Sequence, residues 1–311
     1  MLLFILGLIG LWFASGIVVD NSIKLAHKLK IHEGFIGLTI LSIGTSLPEI
    51  FTHIIASSNI LLNKISLEAA SNISIGTNIG SNIIQITLIT GLIALITKVQ
   101  TSKKILEQDY VIMLGAIILL FILGYDGRIT QLEGISMIFL YFLYLFLLQK
   151  EEQVFTKIKT SKSNIGVNLL IISIGIVILI FSADEVLKGA IELANIWNVT
   201  ESLIGVTLIG VSTALPELTT ALRGIFRGST SLSLGTLIGS NITNPMLALG
   251  LGATISSYSM ENVIQFYDIP FWFISSVVIY YFFKSEKKIT KTEASLMILA
   301  YFGYIYFRIS S

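Results

Sequence analysis

The sequence predicts an all-α integral membrane protein with ten transmembrane helices in two inverted five-helix repeats, and composition, apolar runs and an internal repeat support this prediction. Of 311 residues, 54% are hydrophobic and only 13% are charged, compared with roughly 25% charged in soluble domains. Apolar runs long enough to cross ~30 Å of hydrocarbon recur along the whole chain. This recurrence favours a first membrane span at the N-terminus over a cleaved signal peptide.

Polar breaks divide the apolar runs into ten expected spans. They cover approximately residues 2–23, 34–60, 67–96, 108–125, 132–149, 165–187, 199–226, 230–256, 263–283 and 292–309. The longest interruption runs from Gln149 to Asn164. We therefore expect a first five-helix repeat over 1–149, a cytoplasmic linker loop over 150–164 and a second five-helix repeat over 165–311.

The two halves of the chain contain related sequences. At an offset of 168, residues 13–52 align with 181–220 and share the Leu-Pro-Glu triplet; at an offset of 159, "SIGTNIGSNIIQ" (Ser74 to Gln85) aligns with "SLGTLIGSNITN" (Ser233 to Asn244). Duplication is the simplest explanation. Because five is an odd number of spans, the second half enters from the opposite side of the membrane, and such inverted pairs place their substrate site near the bilayer midplane.

The distribution of basic residues predicts the orientation. With the N-terminus outside, the outer loops hold four of the 20 lysines and arginines, namely Lys64, Arg128, Lys188 and Arg308. The rest fall on inner loops, as the positive-inside rule requires. We therefore expect both termini outside a cell membrane.

Each half carries proline followed by glutamate within an apolar span, in "IGTSLPEIF" (Ile43 to Phe51) and "VSTALPELT" (Val211 to Thr219). Proline cannot bond the carbonyl four residues earlier, and a broken helix is tolerated in hydrocarbon only where protein, water or an ion replaces that bond. One such pair is usually a simple kink, whereas two repeated copies within spans favour a functional site. The motif gathers carbonyl, hydroxyl and carboxylate oxygens, which Ca²⁺ and Na⁺ prefer.

The second repeated block combines small residues with polar side chains. "GTNIG" (Gly76 to Gly80) and "GTLIG" (Gly235 to Gly239) have the spacing of close helix packing. Serine and asparagine follow each copy directly, and Gln85 or Asn244 lies a turn later. These side chains can complete the coordination of an ion or form hydrogen bonds between helices.

These paired motifs resemble the two α-repeats of the calcium/cation antiporter superfamily, closest to its sodium/calcium exchanger branch. The resemblance implies exchange of Ca²⁺ against Na⁺, or against H⁺ in sister branches, by alternating access. It also implies a site centred on Glu49 and Glu217. The other implied site residues are Thr45, Thr213, Ser81, Ser240, Gln85, Asn244, and the carbonyls of Ser42 and Gly210.

The sequence departs from the family pattern at several of these positions. Gln85 replaces a shorter asparagine and Asn244 replaces an aspartate found in many members, so two carboxylates remain at the site. Their charge equals that of one Ca²⁺ or two monovalent ions. The coupling ion, Na⁺ or H⁺, and the stoichiometry therefore stay open.

Other functional classes make different predictions. A cation channel would use similar oxygen ligands, but it predicts an oligomeric pore and flux without a counter-ion. An enzyme is not expected, since the sequence has no HExxH, no GxSxG and no cysteine. We expect no cofactor, and a net charge of +1 argues against nucleic acid as a partner.

Two further groups of polar residues are expected to lie outside the ion site. His53 lies one turn after Glu49, but its counterpart in the repeat is Ala221, which favours a bystander role. Asp184 and Glu185 lie inside an expected span, and Lys188 follows one turn later. We expect these three residues to form an ion pair toward the outer surface.

Overall fold

The computed structural model describes residues 2–28, 42–97, 105–152, 164–226, 230–286 and 288–310. Within these ranges the chain is almost entirely helical, which confirms the all-α prediction for this part. The strands β1 (Arg128–Ile129) and β2 (Tyr258–Ser259) pair antiparallel with Arg128 opposite Ser259. This two-residue pairing connects the loop before α5 with the loop after α8.

The helices of the first half include several that change from α to π geometry or break. Their bounds are α1 (Leu2–Lys28), α2 (Ser42–Thr45 and Leu47–Leu61), α3 (Leu67–Ile84, π-helical Gln85–Ile89 and Thr90–Ile96), α4 (π-helical Ile105–Asp109 and Tyr110–Leu123) and α5 (Gln131–Glu152).

The second half contains corresponding breaks and π-helical turns. Its helices are α6 (Ile165–Trp197), α7 (Glu201–Ile204, π-helical Gly205–Ile209, Gly210–Thr213 and Leu215–Phe226), α8 (Thr230–Thr243, π-helical Asn244–Leu249 and Gly250–Ser256), α9 (π-helical Ile264–Asp268 and Ile269–Glu286) and α10 (Lys291–Ser310).

Among the described residues, seven helical stretches are long and apolar enough to cross a membrane. They are Leu2–Ser22, Leu67–Ile96, Leu106–Leu123, Gln131–Leu148, Ile165–Trp197, Glu201–Leu222 and Ile264–Lys284. The expected spans over 34–60, 230–256 and 292–309 are not among them. The first lies partly outside the described residues. The second contains many serine, threonine and asparagine residues, and the third contains tyrosines and charged residues that lower its hydropathy.

Two helix ends differ from the sequence prediction. Helix α5 continues to Glu152, beyond the expected start of the linker loop at residue 150, and residues 153–163 lie outside the described part. Helix α6 continues past residue 187 to Trp197, and Asp184 and Lys188 pair on its surface. It ends where Asn198 adopts a left-handed conformation, with φ 52°.

Helix α3 packs closely against α7 through glycine. A Cβ atom on Gly76 would lie 2.7 Å from the Ser202 carbonyl oxygen, and one on Gly205 would lie 2.5 Å from the Ile73 carbonyl oxygen. This confirms the packing prediction for the first glycine block. In the second block, a Cβ on Gly235 would meet no heavy atom of the described residues within 4 Å.

Candidate cation site

The two Pro-Glu motifs bring a pair of buried carboxylates together. Glu49 lies in the first turn of the Leu47–Leu61 segment, directly after the break at Ser46, and Glu217 occupies the same place in Leu215–Phe226. Both side chains have 0% relative exposure. The two carboxylates lie close enough for their charges to interact, and the start of a helix favours negative charge. The repeat thus builds one acidic site from both halves.

A serine from another helix donates a hydrogen bond to each carboxylate. Ser81 on α3 donates a hydrogen bond of 2.7 Å to Glu49 Oε1, and Ser240 on α8 donates one of 3.1 Å to Glu217 Oε1. Ser81 and Ser240 occupy equivalent positions in the second repeated block. The two copies of that block therefore place the same hydroxyl beside the two glutamates.

The threonine of each Pro-Glu motif contacts the glutamate of the other half. Thr213 lies against the Glu49 carboxylate, and Thr45 lies against the Glu217 carboxylate. Thr45 Oγ1 is also 3.2 Å from Ser240 Oγ. Each half therefore contributes a hydroxyl to the carboxylate of the other half, and the site is complete only when both halves are assembled.

Several buried oxygens at the site have no hydrogen-bond partner among the described residues. They include Oε2 of Glu49, Oε2 of Glu217, Oδ1 of Asn244 and Oγ of Ser46. In the described part of the chain, neither glutamate pairs with a lysine or an arginine. A buried charge without a partner is costly, and carboxylate, amide and hydroxyl oxygens are the ligands of hard cations. This arrangement suits a cation.

Gln85 and Asn244 occupy equivalent positions but differ in hydrogen bonding. Gln85 Oε1 accepts a bond of 2.9 Å from Asn241, and its amide nitrogen donates to Ser81 Oγ at 3.0 Å. Asn244 donates from Nδ2 to Asn82 Oδ1 at 2.9 Å, and its own Oδ1 stays unpartnered. Asn244 thus offers an oxygen to a cation, whereas the Gln85 oxygen is already engaged.

The remaining predicted site residues are two backbone positions. The Gly210 carbonyl accepts a bond of 3.1 Å from the Ala214 N–H and one of 3.4 Å from Thr213 Oγ1, so it is occupied in this structure. Ser42 begins the first segment of α2, and its side chain lies outside the described part. The structure places these two residues one turn before the threonines.

A chain of polar side chains extends from the site to His53. Asn78 Nδ2 donates to the Asn244 carbonyl at 2.7 Å and lies 3.2 Å from His53 Nε2, while His53 Nδ1 lies 3.1 Å from the Tyr258 hydroxyl. Because an amide nitrogen only donates, His53 Nε2 accepts and the imidazole is neutral. His53 thus contacts the network around the site through Asn78, and the sequence analysis did not identify Asn78 as part of that network.

Other charged groups form ion pairs away from the site. Lys188 lies 2.6 Å from Asp184 and 3.2 Å from Glu185, which confirms the predicted ion pair. The sequence did not indicate a second pair, in which Arg308 Nε lies 3.1 Å from Asp268 Oδ1. Arg308 is only 4% exposed. Arg308 was expected on an outer loop, and its pairing with Asp268 was not predicted.

The described residues contain no group of three or more histidine, cysteine, aspartate or glutamate side chains that could hold a metal. The oxygens described above at this site come from two carboxylates and from neutral hydroxyl and amide groups.

Comparison with known proteins identifies the family. The sodium/calcium exchanger protein family matches residues 1–149 and 167–310. The Escherichia coli inner membrane protein YrbG is 30% identical over 288 residues, covering 89% of this chain and 86% of that protein. The Methanosarcina acetivorans sodium/calcium exchanger MaX1 is 27% identical, covering 98% of this chain and 97% of that protein.

Solved structures of the sodium-calcium exchanger NCX_Mj are also similar. The form soaked with 10 mM Na⁺ and zero Ca²⁺ has a TM-score of 0.67 and 28% identity, covering 98% of this chain and 97% of that chain. A form soaked with 2.5 mM Na⁺ and 10 mM Sr²⁺ has the same TM-score and 29% identity, with the same coverage. With its helical fold and near-complete family match, this chain is a multi-pass membrane protein that belongs to the sodium/calcium exchanger family, a family of ion exchangers rather than enzymes.

Proposed function

We propose that this protein is a secondary antiporter that exchanges Ca²⁺ for Na⁺ by alternating access at a site built on Glu49 and Glu217. The observation that carries this proposal is the unpartnered carboxylate oxygen on each of these fully buried glutamates. A cation between the two oxygens compensates both charges. Family membership supports Ca²⁺ and Na⁺ as the transported ions.

The ligand set explains why transport is an exchange. Glu49 Oε2, Glu217 Oε2 and Asn244 Oδ1 provide oxygens for Ca²⁺, while Thr45, Thr213, Ser81 and Ser240 surround the carboxylates with hydroxyl groups. Either Ca²⁺ or Na⁺ uses the same two charges, so the ions exclude one another. An empty site leaves two uncompensated carboxylates in hydrocarbon, which is costly, and only a loaded site changes sides readily.

The proposal includes the membrane architecture. Residues 1–149 and 165–311 form two inverted five-helix repeats, making ten spans with proline-broken helices at the site. The cytoplasmic linker loop over 150–164 joins them. Both termini lie outside the cell membrane. The equivalent positions of the two glutamates and of the two serines support this arrangement.

Exchange of Ca²⁺ against H⁺ is the second candidate. The observation that favours it is that Gln85 and Asn244 are neutral, so two protons on Glu49 and Glu217 neutralise the site as well as two Na⁺ do. The same fold and the same residues serve both candidates. Dependence on Na⁺ distinguishes them.

The test is Ca²⁺ uptake into proteoliposomes loaded with Na⁺, compared with vesicles loaded with choline at equal pH. Uptake that requires internal Na⁺ and is lost in Glu49→Gln and Glu217→Gln supports Na⁺/Ca²⁺ exchange. Equal uptake from choline vesicles, driven by an imposed pH gradient, supports the proton-coupled candidate. Uptake that needs no counter-ion gradient identifies a channel and contradicts both.

A further inference from the structure

Two asparagines on α3 hold the Asn244 side chain in one orientation. Asn78 Nδ2 donates to the Asn244 backbone carbonyl at 2.7 Å. Because a carbonyl only accepts, Asn78 turns its amide nitrogen to α8 and its oxygen to Asn82, whose Nδ2 lies 3.5 Å away. Asn82 Oδ1 then accepts from Asn244 Nδ2 at 2.9 Å. The bonds form a closed ring, and Asn244 Oδ1 keeps no partner among the described residues.

Two residues outside α3 and α8 hold Asn78 in place. The Tyr258 hydroxyl donates its single hydrogen to the His53 backbone carbonyl at 3.1 Å, so toward His53 Nδ1, also at 3.1 Å, it accepts. The imidazole proton therefore lies on Nδ1. His53 Nε2 is left to accept from Asn78 Nδ2 at 3.2 Å. Tyr258 thus fixes the histidine tautomer that suits Asn78.

Burial makes the direction of this chain costly to reverse. The three asparagines are 0% exposed, and His53 and Tyr258 are 1% exposed. Turning any one amide around would bring donor against donor or acceptor against acceptor. Water cannot replace the lost bonds at these positions, so the reversed arrangement is unfavourable.

The orientation of the Asn244 amide decides what a cation meets. Its oxygen is the negative end of the group and ligates hard cations, whereas its nitrogen carries hydrogens that repel them. In the observed orientation the nitrogen is engaged by Asn82 and the oxygen is available. An Asn244 side chain free to turn would offer its oxygen for only part of the time.

The internal repeat contains this chain only once. The counterpart of Asn78 in the second glycine block is Leu237, and the counterpart of His53 is Ala221. Neither side chain can donate or accept a hydrogen bond. The chain therefore serves Asn244 alone, and its residues were not required by the symmetry of the two halves.

We propose that four residues direct the Asn244 side-chain oxygen toward the transported cation and thereby set the Ca²⁺ affinity of the site: Tyr258, His53, Asn78 and Asn82. They are positioning residues that act through Asn244. This inference rests on the proposed function for the identity of the cation. The direction of the hydrogen bonds follows from the donors and acceptors alone.

The first experiment is a double-mutant cycle, measured by calorimetric titration of the purified protein with Ca²⁺. Asn78→Leu introduces the residue found at position 237 and removes the donor, so we expect the Ca²⁺ affinity to fall about fivefold. In an Asn244→Ala background no side-chain oxygen remains to be positioned. There we expect Asn78→Leu to change the affinity by less than about twofold. A merely structural role would lower the affinity in both backgrounds.

A conservative variant tests the outer end of the chain. Tyr258→Phe removes only the hydroxyl, and we expect the Ca²⁺ affinity to fall about threefold. The matched control is Tyr141→Phe, since Tyr141 is also 1% exposed and its hydroxyl lies 3.0 Å from Thr243 Oγ1, beside Asn244. We expect this control to stay within about twofold of the wild type. Tyr258→Phe provides the decision if Asn78→Leu does not fold.

Rescue at His53 tests the acceptor itself. His53→Leu removes the acceptor for Asn78, and we expect about a threefold loss of Ca²⁺ affinity. His53→Gln supplies a side-chain oxygen in its place and should stay within about twofold. Equal losses in these two variants, equal effects of Tyr258→Phe and Tyr141→Phe, or an undiminished effect of Asn78→Leu in the Asn244→Ala background would each overturn the inference.

A last measurement needs no transported ion. The chain has three histidines, and the ¹⁵N NMR signals of His53 in the histidine-labelled protein are identified by their loss in His53→Gln. We expect a proton on Nδ1 and none on Nε2. A proton on Nε2 would overturn the inference whatever the protein transports. If Ca²⁺ neither binds nor is transported, the proposed function fails, whereas these signals still decide the direction of the chain.

Discussion

Two regions of the molecule bury carboxylates completely, but their surroundings differ. Asp268 accepts a bond of 2.8 Å from the Tyr304 hydroxyl, and Arg308 Nε lies 3.1 and 3.3 Å from its two oxygens. Glu49 and Glu217 each keep an oxygen without a partner. Burial alone therefore does not mark a cation site. We propose that the missing partner does, because an unpartnered buried charge can be neutralised by a bound cation.

The Asp268 cluster connects three helices near the ends of α9 and α10. Arg308 Nη2 donates to Ser202 Oγ on α7 at 2.7 Å, and Ser202 bonds Glu261. A paired and fully bonded acid of this kind holds helices in register. We therefore assign stability to this region and transport to the region around Glu49 and Glu217.

The largest effect is expected from removing one of the unpaired charges. Glu49→Gln and Glu217→Gln keep the side-chain volume but remove half of the site's charge, so we expect each to lower Ca²⁺ uptake about 100-fold or more. The control is Glu185→Gln on α6, which pairs with Lys188 at 3.2 Å and should leave uptake within about twofold. Ca²⁺ uptake above a tenth of the wild-type rate in either variant would show that the substituted glutamate is not required for transport.

The paired acid should give the opposite result. Asp268→Asn removes the negative charge of the buried pair with Arg308, so we expect the free energy of unfolding to fall by about 3–5 kcal/mol. The measurement is reversible denaturation in mixed micelles, and Asp184→Asn at the exposed pair with Lys188 should cost no more than about 1 kcal/mol. The Na⁺ dependence of uptake should be unchanged in Asp268→Asn. An altered Na⁺ dependence at full stability would place Asp268 in transport.

The same distinction applies to the neutral amides. Asn244→Ala removes an unpartnered oxygen, and we expect the apparent affinity for Ca²⁺ to fall about tenfold, equivalent to about 1.4 kcal/mol. Gln85→Met removes an oxygen that Asn241 already engages, so its effect on Ca²⁺ affinity should stay within about twofold. Calorimetric titration with Ca²⁺ measures both. Equal losses of Ca²⁺ affinity in the two variants would contradict the difference between the Asn244 and Gln85 oxygens.

The smallest effect is expected at a hydroxyl. Ser46 Oγ in the break of α2 has no partner, and Ser46→Ala should lower the affinity for Ca²⁺ about threefold. Ser57→Ala is the matched control on the same helix, since Ser57 Oγ donates to the Gly252 carbonyl at 2.8 Å. A larger loss of affinity in Ser57→Ala than in Ser46→Ala would contradict the role of unpartnered oxygens.

The repeated motifs made the centre of the site predictable. Pro48 with Glu49 and Pro216 with Glu217 combine a broken helix with a buried charge, and both requirements are visible in a local sequence. The serines of the second block follow the glycines at fixed spacing along α3 and α8. Each of these features is determined by residues within a single helix. A local sequence pattern is therefore sufficient to predict it.

The hydrogen-bond directions and the paired acid were not predictable. The orientation of the Gln85 amide depends on Trp272, because Trp272 Nε1 donates to Asn241 Oδ1 and Asn241 donates to Gln85 Oε1. Trp272 is distant in the sequence and has no polar pattern around it. The pairing of Asp268 with Arg308 likewise depends on how α9 and α10 pack. Both features follow from contacts between helices, and a local pattern of residues contains no information about such contacts.

The central claim is that one cation lies between the unpartnered oxygens of Glu49 and Glu217. Its most direct test is anomalous diffraction from crystals soaked in Sr²⁺, a heavier substitute for Ca²⁺. We predict one strong peak beside Glu49 Oε2, Glu217 Oε2 and Asn244 Oδ1, at about the 2.3–2.6 Å typical of Ca²⁺–oxygen ligation or slightly more. A strong peak elsewhere in the membrane region, with none between the glutamates, would contradict it.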